Sequence, residues 1–110
     1  MEYRKQLGDH GEVFAMNLLE DLGYEILTTK FRSRMGEIDI IARKNGVYHF
    51  VEVKTRNGPA YGHPAESVDR NKRQRMVRTA EFYLMRYHID QAAMQFDVIE
   101  IEVNMLMACM

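Results

Sequence analysis

Two acids and a lysine, Asp39, Glu52 and Lys54, stand at spacings that put them on adjacent strands of one hairpin. The runs Gly36-Glu37-Ile38-Asp39-Ile40-Ile41-Ala42 and Phe50-Val51-Glu52-Val53-Lys54-Thr55-Arg56 flank the dipeptide Asn45-Gly46. Asn-Gly between two apolar-rich runs is the strongest short-range hairpin signal and favours a two-residue type I′ loop. With that loop, Lys44 faces Val47, Ile40 faces Val51, Asp39 faces Glu52, Ile38 faces Val53 and Glu37 faces Lys54. Side chains alternate along a strand. Glu37, Asp39, Glu52 and Lys54 are therefore expected on one face beside Ile41 and Phe50, with Ile38, Ile40, Val51 and Val53 on the other. Two opposed carboxylates repel and destabilise a sheet. A cation between them, a raised pKa on one of them, or exposure to water would each relieve the repulsion. A hard divalent metal held through carboxylate oxygen accounts for the arrangement best. The Glu37–Lys54 pair reads equally as an ordinary cross-strand salt bridge.

The elements that must position this hairpin are legible around it. Residues 3–22 carry Leu7, Gly11, Phe14, Ala15, Leu18 and Leu22 at helical spacing, and Gly23 supplies a stop. A strand is expected over 24–31, with Tyr24, Ile26 and Thr28 on one face. The hairpin strands follow near 36–44 and 47–56. Asn57 to Pro64 is dense in chain breakers and reads as a loop. A long helix over 65–87 turns Val68, Met76, Ala80, Tyr83 and Tyr87 inward. A last strand over 95–103 offers Phe96, Val98 (or its neighbour Ile99) and Ile101 to the core. Strand–helix–strand at the end implies a crossover into a mixed sheet. The fold class is α/β: helix-strand-strand-strand-helix-strand, with one central mixed sheet flanked by helices.

Composition narrows the function. The 110 residues suit one domain, with a core over about 5–103 and a Met-rich tail at 104–110. No apolar run approaches the roughly 20 residues a membrane-spanning helix needs, and the N-terminus lacks a signal-peptide pattern. A cytoplasmic protein is therefore expected, with no membrane partner. The single cysteine, Cys109, has no disulfide or zinc partner. His10, His49, His63 and His88 show no metal-ligand spacing and read as surface or structural residues. Net charge is −1, yet residues 29–88 hold 13 Lys/Arg against 6 Asp/Glu, while the flanks hold 2 against 10. This asymmetry fits a polyanion-facing surface, or a solvated basic helix.

These residues together resemble a known family. Gly8-Asp9-His10-Gly11-Glu12, Leu22-Gly23-Tyr24-Glu25-Ile26-Leu27, Arg34-Met35-Gly36-Glu37-Ile38-Asp39, Glu52-Val53-Lys54 and Phe96-Asp97-Val98 look like the YraN-like family of uncharacterised bacterial proteins. That family is similar to archaeal Holliday junction resolvases within the PD-(D/E)XK nuclease superfamily. The resemblance implies a restriction-endonuclease-like core over roughly residues 5–103. It implies that Asp39 is the motif's aspartate, Glu52 its second acid, Lys54 its lysine and Glu12 its helix-1 glutamate. Ile38 replaces the usual proline, which removes no ligand. Lys72 matches a basic or amide residue that approaches the site, or is a surface lysine with a buried stem. Asp39, Glu52 and the Val53 carbonyl would then hold Mg2+ or Mn2+, and Lys54 would orient water or meet developing charge. A homodimer is implied, because cutting both strands of a junction needs two active sites.

Arg70, Lys72, Arg73, Arg75 and Arg78, with Lys30, Arg32, Arg34 and Arg56, are candidate phosphate contacts. No element reads bases. The leading expectation is a metal-dependent endonuclease acting on DNA, branched or structured. A nucleic-acid-binding module that keeps the fold without cutting, and a structural protein with a charge-paired hairpin, stand beside it. Magnesium affinity and salt-dependent DNA binding separate the last from the other two.

Overall fold

The computed structural model describes residues 2–57 and 70–103, with side chains over 9–56 and 70–103. Helix α1 (Glu2–Asp21) leads into strands β1 (Glu25–Ser33), β2 (Gly36–Lys44) and β3 (Val47–Asn57). Helix α2 (Arg70–Arg86) and strand β4 (Ala93–Val103) complete the fold. The sheet order is β1-β2-β3-β4, antiparallel until β4 joins β3 in parallel. The expected element order and mixed sheet are therefore present. The loop from Gly58 to Pro64, the side chains of Leu7 and Val68, and the tail 104–110 lie outside the described residues.

Each helix covers one face of the sheet. Ala15 and Leu19 of α1 pack with Ile40, Ala42 and Val51. Ala80, Tyr83 and Leu84 of α2 pack with Ile38, Ile41 and Phe50. Tyr83 meets Phe31 edge-on at 5.1 Å, and Phe96 stacks on Phe50 at 5.5 Å. Chain direction reverses after α1 where Gly23 takes φ +93° and Tyr24 N–H donates to the Leu19 carbonyl. This left-handed stop is open to glycine without strain.

Helical spacing placed Gly11 and Ala15 correctly on the buried face of α1 and Phe14, Leu18 and Leu22 wrongly. Phe14, Leu18 and Leu22 are exposed, and the buried line is Gly11, Ala15 and Leu19. Small residues win because α1 lies close to the sheet: a Cβ on Gly11 would stand 2.0 Å from Thr55 Oγ1 of β3. In α2 the inward residues are Met76, Thr79, Ala80, Tyr83 and Leu84, whereas Tyr87 lies past the helix end and is exposed. On β4, Phe96 and Val98 remain more than a third exposed, and Ile99 and Ile101 are half-buried against the α1 side.

The hairpin register holds near the turn and fails away from it. Asn45 and Gly46 both take positive φ, +52° and +76°, as a type I′ loop requires. Pairing runs from Lys44–Val47 to Ile40–Val51 as expected, and the ladder ends there. Ile38 packs on the α2 side with Ile41 and Phe50, while Ile40 packs on the α1 side. The expectation that Ile38 and Ile40 share a face is thus overturned. Strict alternation breaks at Asp39, between them. In β1 the residue between the partners of Ile40 and Ile38 is Lys30, which takes φ +53°. Both strands turn out of regular pleat at the same level.

Candidate functional site

Asp39 sits where the β2–β3 ladder gives out. Its Oδ2 accepts a hydrogen bond from the Val53 N–H at 2.8 Å, so a side chain does what a strand carbonyl does in a regular pair. Glu52 is the next acid on β3, nearly buried. Its Oε1 takes Lys54 Nζ at 3.1 Å and also forms a close ion pair with Lys72 of α2. Asp39, Glu52 and Lys72 line one cleft of about 560 Å³ with Glu37, Arg34 and Arg75. The sheet end supplies the acids, and α2 and the β1–β2 turn supply the cations.

Glu37 does not meet Lys54 as its register position implied. It pairs instead with Arg32 of β1 at 3.1 Å, its cross-strand neighbour there. Lys54 turns to Glu52, two residues away on its own strand. The physical reason is the opened ladder, which leaves Glu37 paired only on its β1 side.

Glu12 of α1 is not part of the cleft lining but is near enough for the charge of Asp39 to act on it. Burial raises its carboxyl above the ordinary range, and the negative charge of Asp39 raises it further. Its Oε1 is buried without a hydrogen-bond partner among the described residues. Burial also raises the Asp39 carboxyl, and the charges of Glu52 and Glu37 add to this. The Val53 N–H and the Lys72 charge pull the other way. For Lys72, burial pulls the ammonium down, but hydrogen bonding to Glu52 and the charges of Glu52 and Asp39 outweigh it, so it stays protonated more firmly than usual. Two carboxyls raised by burial, Glu12 and Asp39, near a Glu52 that is paired with two lysines are the kind of perturbed groups that collect at functional sites.

The donor chemistry suits a hard cation. Asp39 and Glu52 offer carboxylate oxygens, and the orphaned Glu12 Oε1 lacks the partner that a buried oxygen ordinarily has. Among the described residues no three His, Cys, Asp or Glu side chains stand together as a ready metal cage. Magnesium does not need one, since it is held by one or two carboxylates and completed by water and phosphate.

The remaining candidates separate by place. Arg34 and Arg75 line the acidic cleft, and with Arg78 they line a second, contiguous groove. Arg70 and Arg73 are exposed at the start of α2 and line neither cavity. Arg56 is drawn to Glu100 of β4 at 3.4 Å, and Lys30 to Asp9 at 3.3 Å. His49 is structural, buried and paired with Asp97 at 2.8 Å, while His10 and His88 are exposed. His63 lies outside the described residues.

Sequence reasoning passed over two hydroxyls. Ser33 Oγ accepts the Met35 N–H at 3.0 Å and lies 3.1 Å from Thr79 Oγ1, which donates to the Arg75 carbonyl at 2.7 Å. This chain pins the β1–β2 turn to α2. The turn packs directly on the helix: a Cβ on Gly36 would lie 3.4 Å from Thr79 Oγ1, at ordinary contact distance. The signal for Thr79 was its place three residues after Met76, on the inward stripe of the helix.

The same segment of chain is shared with known proteins. A model of an uncharacterised protein family, UPF0102, matches residues 11–101, which include every acid and lysine of the cleft. A UPF0102 protein of Persephonella marina is 44% identical over 97 residues, covering 88% of this chain and 84% of that protein. One from Caldicellulosiruptor saccharolyticus is 39% identical over 101 residues, covering 92% and 86%. One from Clostridium tetani is 43% identical over 102 residues, covering 93% and 84%. With the family model spanning most of its length and relatives this similar along nearly all of it, the chain belongs to the uncharacterised protein family UPF0102.

Proposed function

We propose that this protein is a magnesium- or manganese-dependent endonuclease that hydrolyses phosphodiester bonds in DNA, with branched or structured DNA as the preferred form. The observation that carries the reading is the meeting of Asp39, Glu52 and Lys72 in one cleft, at the point where the β2–β3 ladder opens. A cation bound there would act as Lewis acid on the phosphoryl group and acidify a water. Asp39 and Glu52, with the Val53 carbonyl, would hold it. Glu12 would complete the acidic cluster from α1. Lys54 and Lys72 keep Glu52 in place and supply fixed positive charge where negative charge develops on phosphate. Hydrolysis adds water across one P–O ester bond, and the lysines are the donors that can orient that water or steady the leaving oxygen. Contacts to phosphate carry no sequence information, so recognition would follow shape. Cutting both strands of a junction would need two such clefts, hence a homodimer.

A binding module without activity is favoured by one observation: both lysines already neutralise Glu52 Oε1. The test is cleavage of duplex, single-stranded and four-way-junction DNA with magnesium or manganese. Cutting that is lost in both Asp39→Asn and Lys54→Ala is the expected result. Salt-sensitive binding without cutting, unchanged by either substitution, would replace the nuclease by the binding module.

A further inference from the structure

The arginines of this chain fall into two groups. Arg32, Arg43 and Arg56 are each tied to a carboxylate, Glu37, Glu25 and Glu100. Arg34, Arg75 and Arg78 have no acidic partner within 4.0 Å among the described residues, although they stand together around a groove of about 370 Å³. Arginines gathered without a direct ion-pair partner repel one another, and a phosphate in the groove would relieve that repulsion.

The groove is built. Asn71, Gln74, Arg75 and Arg78 follow one another at i, i+3, i+4 and i+7, a single stripe of α2 next to its buried one. Arg34 comes from the β1–β2 turn, and that turn is fastened to α2 through Ser33, Thr79 and the Arg75 carbonyl. Arg34 is thus presented to the helix stripe by a braced backbone. Asn71 and Gln74 add neutral donors. The groove shares Arg34, Met35 and Arg75 with the acidic cleft, so the two cavities adjoin.

We infer that Arg34, Arg75 and Arg78 form a phosphate-gripping groove that holds the nucleic-acid backbone beside the point of cleavage. This groove, more than the basic middle of the chain at large, sets affinity for DNA. The identification of the occupant rests on the nuclease reading of the adjoining cleft. Guanidinium groups match phosphate oxygens with paired donors, and an unpaired cluster of them next to a carboxylate site orders a strand: phosphate in the groove, ester bond over the acids.

The test measures binding of a fluorescently labelled DNA duplex and four-way junction to the full chain in chelator, across a salt series. Arg34→Ala and Arg78→Ala are each expected to weaken binding by about three- to tenfold at low salt. Each should take roughly one unit from the slope of log Kd against log salt. Arg86→Ala, an equal charge change at the far end of α2, should alter neither. Equal losses in all three variants, or no loss in Arg34→Ala and Arg78→Ala, overturn the groove. So does failure of the unsubstituted protein to bind DNA, including the case where it binds inorganic pyrophosphate through the same arginines. Cleavage with magnesium, measured in parallel, keeps the two readings apart. Cutting with no groove effect spares the nuclease and removes the groove. Groove-dependent binding without cutting removes the nuclease and keeps the groove as a DNA grip. Where both hold, Arg78→Ala should raise the half-saturating DNA concentration for cutting several-fold.

Discussion

The hairpin of β2 and β3 has two ends built on opposite principles. Near Asn45-Gly46 the strands are fully paired, alternate regularly and bury Ile40, Ile41, Ala42, Phe50 and Val51 almost completely. Past Ile40–Val51 the ladder ends, the alternation breaks and the residues are Glu37, Asp39, Glu52 and Lys54. The closed end follows from local rules. The open end violates them, and is stabilised by its own Asp39 on the Val53 N–H and by side chains from other elements, Lys72 on Glu52 and Arg32 on Glu37. Residues that fit local preference badly are held in place by a neighbouring element, which is the pattern of a site selected for something other than stability.

Substitutions should separate the ends cleanly. On the nuclease reading, Asp39→Asn lowers the cleavage rate by at least about 10³-fold, because a neutral amide no longer draws a divalent cation. Rates under saturating DNA would show it, and a cutting Asp39→Asn protein would dissolve the distinction between the two ends. Ile40→Ala, one residue away but in the closed half, should cost about 2–5 kcal/mol of stability in denaturant unfolding, through the cavity it leaves. If Ile40→Ala were nearly neutral, the closed end would not be the firm part of the hairpin.

Thr79→Val strips the hydroxyl that joins Ser33 to the Arg75 carbonyl. About 1–2 kcal/mol should be lost. DNA binding should weaken along with it, as Arg34 loses its brace. Unchanged binding would mean that the β1–β2 turn holds itself. Asn45→Ala, in a left-handed position at the closed end, should cost about 1 kcal/mol and leave magnesium-dependent behaviour alone. Thermal melts with and without magnesium check both points.

The subtlest difference is in pH. Asp39 has its carboxyl raised above the ordinary 3.8 chiefly by burial, so the fold binds that proton more readily than the unfolded chain. Its contribution is complete below the unfolded value and is lost as pH rises through the raised one. Without divalent cations, Asp39→Asn should therefore melt higher than the parent at neutral pH, with the gap closing toward acid. Glu12→Gln should behave alike, since the Glu12 carboxyl is also raised by burial. A gap that widens on acidification would show that these acids are not strained by the fold.

Much of this was readable from residue order. Asn-Gly and its flanks dictated the turn and the first register positions, since both are local. The helix-breaker-strand pattern dictated element order and a parallel β4. Asp39, Glu52 and Lys54 stood out as a charged patch on apolar strands, and membership of UPF0102 agrees with the family the motifs resembled. What the order of residues did not contain was the relation between elements. Phe14 and Leu18 looked inward until the close approach at Gly11 turned α1 onto its small face. Glu37 looked like the partner of Lys54 until the ladder opened, and Ser33 and Thr79 looked like ordinary hydroxyls until they met. Spacing along a chain sets which residues share an element's face. Which face is buried, which strand pairs end early and which cations reach a carboxylate are settled by packing among distant segments, and only the tertiary structure decides them.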